Sequence, residues 1–314
     1  YHYGLFSLSV LVLMTITELS DFGLNAGVLR FAPYYISQKE DSKLVQLLRM
    51  VWRWRVMLVL LLTGGTVLLS PFIGKFILGD AAVTPFVAYT ALGVGGVVFL
   101  GFASTVLQAQ QRFYSYSIFQ CLKGLLRLLA VLVMYYAGVR TLFAYLTAYI
   151  AVPWLLFLFA AYALPRGIFG FYRMEKYDEA IRSQVASFSF WITLSTLLGL
   201  LVSRIDHVMV SHMLGVAHVA VFTVAWQFIQ FFPLVYNAIT SVLMPKFSAV
   251  PDSSALRAIL WRTLRFVGVG TLVALLYIYP SQYLIVFLFG EQYASAMPVY
   301  MVLAVGYALN ILIV

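Results

Sequence analysis

The sequence predicts an all-α protein: a polytopic bundle of transmembrane helices, built as two parallel six-helix repeats that form two lobes. Three observations predict this fold. Hydrophobic residues make up 63% of the 314 residues and charged residues 10%, with a mean hydropathy of +0.96; a soluble domain normally carries about 25% charged residues. The apolar runs have the length of helices rather than of the short alternating strands of a β-barrel. Several features also recur along the chain at a nearly constant offset.

The membrane spans can be counted, because each needs about 20 mostly apolar residues. Nine candidates result, and the first and seventh are long enough to be bent or to extend beyond the bilayer. In chain order they are 4–36, 49–70, 81–105, 114–138, 140–163, 185–213, 215–247, 258–279 and 294–314. The chain starts at Tyr1 and stops inside an apolar run. We therefore expect a fragment, with about nine spans, of a protein that has at least twelve.

The basic residues predict the orientation, since short cytoplasmic loops retain Lys and Arg. The connections on one side of the membrane carry fourteen Lys and Arg residues, and those on the other side carry two. The side with fourteen is therefore predicted to be cytoplasmic, which places segment 164–184 inside and Tyr1 outside. Because the cations lie between apolar runs, the net charge of +9 indicates no nucleic-acid binding. Three tryptophans beside these inner arginines, Trp52, Trp54 and Trp261, are expected to be interfacial anchors. The inner set is Lys39, Lys43, Arg49, Arg53, Arg55, Arg112, Arg166, Arg173, Lys176, Arg182, Lys246, Arg257, Arg262 and Arg265; the outer set is Lys75 and Arg140.

An internal repeat predicts the architecture. The offset is 211–213 residues throughout; for example, Asn25-Ala26 recurs as Asn237-Ala238, and the segment 76–80 (FILGD) recurs as 287–291 (FLFGE). The repeats are six spans apart, so both enter the membrane in the same direction, as in transporters built from two similar bundles. We predict a first lobe at 1–163 lacking its first helix, a cytoplasmic amphipathic linker at 164–184 and a truncated second lobe at 185–314.

Charged residues near the middle of two spans form the main candidate site, because such residues usually face a cavity or a partner. Glu18 and Asp21 share one helix face, and so do Lys123 and Arg127, given their spacing. We expect the two pairs to form a compensated cluster. Either it is a salt bridge that holds the bundle together, or the basic pair binds an anionic substrate such as a diphosphate and the acids couple transport to an ion.

The sixth span adds Arg204 and Asp206, which are two residues apart and so lean to different faces. A guanidinium binds two phosphate oxygens at once. We therefore predict Arg127 and Arg204 as substrate contacts, together with Lys123. Asp206 joins Glu18 and Asp21 as a candidate for ion coupling.

Polar residues of the later spans are weaker candidates for a binding site. Gln227, Gln230 and Asn237 lie near one face of the seventh span and bind either sugar hydroxyls or a neighbouring helix. His207 and His212 are five residues apart and lack the convergence of a metal site. No H-E-x-x-H or G-x-S-x-G motif occurs. We expect no enzyme, no metal and no cofactor.

The glycines of the third span, Gly93, Gly95, Gly96 and Gly101, are not followed by the Lys-Ser/Thr of a phosphate-binding loop. Small residues in a transmembrane helix let a neighbouring helix approach closely. The pattern therefore favours close helix contact.

Two segments resemble a known family. Ser20–Phe31 (SDFGLNAGVLRF) is similar to the early signature of the oligosaccharide flippases, the Wzx-like polysaccharide biosynthesis proteins. Ser203–Val210 (SRIDHVMV), followed by Leu214-Gly215, resembles the start of that family's second lobe. The family belongs to the multidrug/oligosaccharidyl-lipid/polysaccharide exporter superfamily.

The resemblance implies a flippase that moves an undecaprenyl-diphosphate-linked oligosaccharide, such as an O-antigen unit, to the outer leaflet of the cytoplasmic membrane by alternating access. The implied partners are this lipid-linked oligosaccharide, membrane lipids, H⁺ or Na⁺, and other polysaccharide-assembly proteins. The alternatives are a MATE-like cation-coupled multidrug exporter, a peptidoglycan-precursor flippase and a scaffold without transport. Glu18 and Asp21 could bind cationic drugs, but the interior basic residues argue against this. The glycan, the driving force and the oligomeric state stay open.

Overall fold

A computed structural model describes residues 1–162, 164, 167–169, 179–230, 232–233, 268, 272, 276–281 and 283–310, with side chains omitted at 180 and 308–310. Helices dominate these residues, and none of them lies in a β-strand. The predicted all-α class is confirmed. Contacts divide the chain into a first unit, residues 2–216, and a second unit, Tyr1 with residues 217–314.

The described residues of the first unit form eight α-helices. A π-helical segment at Ile73–Ile77 extends the third helix, and a 3₁₀ turn at Ala81–Val83 precedes the fourth. The helices are α1 (His2–Asp21), α2 (Leu24–Ser37), α3 (Asp41–Phe72), α4 (Thr84–Ala91), α5 (Gly93–Ala109), α6 (Phe113–Tyr136), α7 (Leu142–Tyr162) and α8 (Glu179–Leu214).

Two of the predicted spans are broken helices. The first span, expected to be bent, is divided into α1 and α2 at Phe22 and Gly23, which both have positive φ angles of 46° and 66°. Glycine adopts such angles readily, whereas they are uncommon for other residues. The third span is divided into α4 and α5, which meet at 42°.

Helix length and composition support a membrane location. Within the described residues, five helices are long and apolar enough to cross a bilayer, and the bent pair α4–α5 raises this to six. Their exposed leucines and aromatic residues are suited to contact with lipid. The predicted total of nine spans stays a prediction, because much of 234–275 lies outside the described residues.

The second unit contains α9 (Val216–Ile229), a 3₁₀ turn at Glu291–Tyr293 and α10 (Ala296–Asn310). Residues 276–281 and 283–289 are also helical. Inside this unit the hydroxyls of Ser281 and Tyr300 are 2.6 Å apart, and both side chains are fully buried. The predicted lobe boundaries stay a prediction: the repeat assigns 185–213 to the second lobe, whereas α8 contacts α1 and α2.

Helix α5 is the centre of the first unit and packs most extensively against α7. Glycines make this approach possible, because a Cβ at Gly95 or Gly96 would come within 2.7 Å of the Trp154 side chain. A Cβ at Gly93 would meet Ile150 at 3.0 Å. Close helix contact is therefore confirmed at these three glycines. Gly101 differs, since no atom lies within 4 Å of a Cβ placed there.

Trp52, which was expected to be an interfacial anchor, is buried inside the protein. Its side chain is only 7% exposed, and its ring stacks on Phe157 at a centroid distance of 5.8 Å, with Phe99 and Phe169 at 4.7 and 4.9 Å. Aromatic clusters of this kind stabilise a core through their large contact area. For Trp52 the prediction of an anchor was wrong, because proximity to arginines along the chain does not determine which face of α3 is buried. For Trp54, which is partly buried, and Trp261, which lies outside the described residues, it stays a prediction.

Candidate functional site

A polar cavity of about 320 Å³ lies within the first unit, at the break between α1 and α2. This volume is within the range of about 300–1,000 Å³ that is usual for small-molecule sites. A group of polar side chains inside an apolar helical bundle indicates function, because such groups are costly in a membrane. The lining residues are Thr17, Glu18, Asp21, Asn25, Arg55, Val97, Val98, Leu100, Gly101, Ser104, Gln120, Lys123 and Thr196.

The break brings two polar residues to the cavity. Asp21 is the last residue of α1, and Asn25 lies in the first turn of α2. The first N–H groups of a helix have no partner within it, and here the Asn25 N–H donates to Asp21 Oδ1 at 3.3 Å. Both side chains consequently line the cavity on either side of the break.

Arg55, in the middle of α3, holds both of these residues. Its Nη2 donates to Asp21 Oδ1 at 2.7 Å and to Asn25 Oδ1 at 2.8 Å. The Asn25 oxygen also lies 2.7 Å from the hydroxyl of Thr105 on α5. The Arg55 side chain is 1% exposed, so the positive charge is buried and compensated by a carboxylate that is 30% exposed.

Glu18, three residues before Asp21, pairs with α8. Its Oε1 accepts from Arg204 Nη2 at 2.7 Å, and the two side chains are 44% and 26% exposed. Nearby, the backbone oxygen of Gly23 accepts from the Ser189 hydroxyl at 3.4 Å. Helix α8 therefore contacts α1 one turn before the break and again at the break itself.

Lys123, on α6, is the cavity's remaining cation. It lines the cavity beside Gln120, and its ammonium has no ion pair or hydrogen bond among the described residues. The two cavity carboxylates are each engaged by an arginine. The charge balance of the cavity therefore favours an anion at Lys123.

The predicted cluster of four charges is correct in part. Glu18, Asp21 and Lys123 do line one cavity, but the acids pair with Arg204 and Arg55 rather than with the α6 cations. Arg127 is not among the lining residues; its guanidinium lies 4.5 Å from the centre of the Tyr149 ring. The expected pairing was wrong, because arginines from α3 and α8 reach the carboxylates.

The other predicted site residues lie elsewhere. Asp206 is exposed and does not line the cavity, since α8 turns it away from Arg204. Gln227 and Gln230 are exposed and belong to the second unit, and Asn237 lies outside the described residues. Their roles in substrate binding or ion coupling stay predictions. The described residues contain no His/Cys/Asp/Glu group suited to a metal.

Arg55 and Asn25 are functional candidates that sequence reasoning missed. Arg55 was counted among the cytoplasmic charges, although the predicted second span at 49–70 includes it. Asn25 carried a usable signal, because it recurs at Asn237 in the second repeat. A repeated amide inside a span is unusual enough to indicate a cavity or a partner.

An apolar cleft of about 230 Å³ adjoins the polar cavity. Leucines of α3 and α8, such as Leu58, Leu62 and Leu197, form its walls. Glu18 and Thr196 line both spaces, so the cleft and the cavity are neighbours. Together they offer a charged polar chamber next to an apolar one.

Comparison with known proteins gives two results. A family model described as polysaccharide biosynthesis protein matches residues 1–250. The fold is similar to that of an inward-facing multidrug resistance MATE family transporter of the MOP superfamily, with a TM-score of 0.61, 17% sequence identity, and coverage of 99% of this chain and 81% of that one. No curated protein matches the sequence significantly.

Proposed function

Because the chain belongs to the polysaccharide biosynthesis protein family, we propose that it is a flippase for a lipid-linked oligosaccharide, carried on undecaprenyl diphosphate. Family and fold support a multi-pass membrane protein of the exporter and flippase type, and they point to transport more than to catalysis. The resemblance of segment 20–31 to this family is confirmed. The substrate and the path across the membrane are the proposed part.

The unpaired ammonium of Lys123 is the observation that carries this proposal. A diphosphate entering the cavity would meet one uncompensated cation, because Asp21 and Glu18 are occupied by Arg55 and Arg204. Lysine binds phosphate as a point charge with three donors. We assign the diphosphate to Lys123.

The remaining lining suits the other parts of such a substrate. Thr17, Ser104 and Gln120 provide hydroxyl and amide groups for sugar hydroxyls. The adjoining apolar cleft suits a segment of the prenyl chain. Arg204 would contact the substrate once its ion pair with Glu18 is broken. Arg127, which lies one helical turn beyond Lys123 on α6, would be a second basic contact. Alternating access between the two lobes would then move the substrate across the cytoplasmic membrane.

We also propose that Glu18, Asp21 and Asp206 couple transport to an ion. H⁺ or Na⁺ would have to compete with a guanidinium at 2.7 Å from each of the two cavity carboxylates. The same pairing disfavours the multidrug exporter, because a cationic drug needs a free carboxylate. The cavity thus favours an anionic substrate.

The test is restoration of surface polysaccharide in a cell that lacks its own oligosaccharide flippase. The full-length protein should restore the polysaccharide, Lys123→Ala should not, and Lys75→Ala should, since Lys75 is exposed and outside the cavity. Parent-like restoration by Lys123→Ala would contradict the assigned diphosphate site. Failure of the parent, combined with resistance to cationic dyes, would favour the drug exporter.

A further inference from the structure

The break between α1 and α2 is weakly determined by its own backbone. Gly23 has access to many conformations, because it lacks a Cβ. Across Phe22 and Gly23, the hydrogen bond from Asn25 N–H to Asp21 Oδ1 is long at 3.3 Å. Something outside these two helices must therefore set the angle between them.

Arg55 contacts both sides of the break at once. A single nitrogen, Nη2, donates one hydrogen to Asp21 at the end of α1 and one to Asn25 at the start of α2. Its Nη1 lies 3.4 Å from the carbonyl oxygen of Val98 on α5, and its guanidinium lies 5.4 Å from the Phe102 ring centre. The bridge is thus anchored in the most buried helix of the unit.

The burial of Arg55 makes this bridge stiff. The side chain is 1% exposed, so its N–H donors are shielded from water. Its planar guanidinium donates in fixed directions, which the flexible ammonium of lysine does not. Movement of α1 relative to α2 would break at least one of the two bonds and leave a buried donor unsatisfied.

The same break sets the position of the cavity's carboxylates. Asp21 is the last residue of α1, and Glu18 lies one turn before it. Both line the cavity, as does Lys123 of α6. A change in the angle of the break would displace both carboxylates relative to Lys123.

From these contacts we infer that Arg55 is a positioning residue, which clamps the α1–α2 break and so holds Glu18 and Asp21 in place around the substrate cavity. The role rests on the proposed transport function, because the clamp matters to activity only if the cavity holds the substrate. Arg55 itself is too deeply buried to take the diphosphate.

The experiment measures the break directly. In full-length protein with Cys121→Ser, spin labels at His2→Cys and Tyr34→Cys report the distance between the far ends of α1 and α2 by pulsed electron paramagnetic resonance. The parent should give one narrow distribution. Arg55→Met should broaden it, and Arg53→Met, which removes a charge two residues away that does not line the cavity, should not.

A double variant separates positioning from simple stability. Asp21→Asn with Arg55→Met leaves neither charge of the pair without its partner, so it should be more stable than Arg55→Met alone. It still lacks the bridge to Asn25. We expect a broad distance distribution and a fall in polysaccharide export of about tenfold or more, since displaced binding groups lose that much readily. Arg55→Lys should keep the fold but not restore the narrow distribution.

The outcomes are distinct. A narrow distribution in both Arg55→Met and the double variant would overturn the inference. Parent-like export despite a broad distribution would also overturn it, because the break would then not matter for transport. A broad distribution with lost export, together with full export by Lys123→Ala, would support the clamp while contradicting the assigned diphosphate site.

Discussion

Nη2 of Arg55 on α3 lies 2.7 Å from Oδ1 of Asp21 at the end of α1, and the arginine side chain is 1% exposed. The two residues are 34 positions apart in the chain. Their pair is the most deeply buried ionic contact among the described residues, and the second pair of the cavity, Glu18 with Arg204, is much more open.

Removal of one member of the buried pair should destabilise the protein strongly. Asp21→Asn leaves the buried Arg55 guanidinium, which is 1% exposed, without its anion, so we expect a loss of about 3–5 kcal/mol for this variant. Arg55→Met leaves a carboxylate that is 30% exposed, so its loss should be smaller than that of Asp21→Asn. The double variant should recover much of it. Thermal unfolding in detergent, analysed as a double-mutant cycle, measures the coupling. If the losses in unfolding free energy of the two single variants simply added in the double variant, the predicted coupling between Asp21 and Arg55 would be contradicted.

Removal of Glu18 should cost little stability. Its side chain is 44% exposed and that of Arg204 is 26% exposed, and exposed pairs contribute about 0–1 kcal/mol. Glu18→Gln should therefore unfold within a few degrees of the parent in the same detergent assay. A loss as large as that of Arg55→Met would show that the pair is shielded more than its exposure indicates.

Lys123 should dominate anion binding. A hydrogen bond to a charged group contributes about 1.5–3 kcal/mol, so Lys123→Ala should weaken the binding of inorganic diphosphate by about tenfold or more. Lys123→Arg should keep most of the affinity. Isothermal titration of the purified protein measures both. Arg127→Ala is the matched variant on α6, and a larger effect there would shift the site to the Tyr149 side.

Substitution by alanine should change the stability of the protein in opposite directions at Gly23 and at Gly64. Gly23 has a φ of 66°, and a Cβ there would lie 2.6 Å from the Ser189 carbonyl oxygen. Gly23→Ala should destabilise by about 1–3 kcal/mol. Gly64 lies within α3 with open space around its Cβ position, so Gly64→Ala should stabilise by up to about 1 kcal/mol. Thermal unfolding of the two variants, with opposite shifts in Tm, checks this.

The sequence anticipated most of the helices in the first unit. The spans predicted at 114–138, 140–163 and 185–213 correspond to α6, α7 and α8, because long apolar runs and their flanking polar residues are local signals. The bend in the first span was expected from its length. Its location at Phe22-Gly23 comes from the positive φ angles that the structure adds.

The sequence predicted which residues line the site better than it predicted which of them contact each other. Glu18, Asp21 and Lys123 were identified because charged residues inside apolar runs stand out in any sequence. Arg127 was included for the same reason but lies against Tyr149. Arg55 was missed, because three arginines close to the start of a span look like a cytoplasmic boundary when only their order is known.

By itself, the sequence determined that the chain is helical, lies in a membrane and resembles the polysaccharide biosynthesis proteins, because hydropathy, helix periodicity and short motifs are local features of the chain. The duplication that it also predicts stays a prediction. Only the tertiary structure decided which charges neutralise each other. Asp21 pairs with Arg55 across 34 residues, and Glu18 with Arg204 across 186. Such pairing depends on which helix faces meet. The tertiary structure is therefore needed to identify Lys123 as the unpaired cation of the cavity.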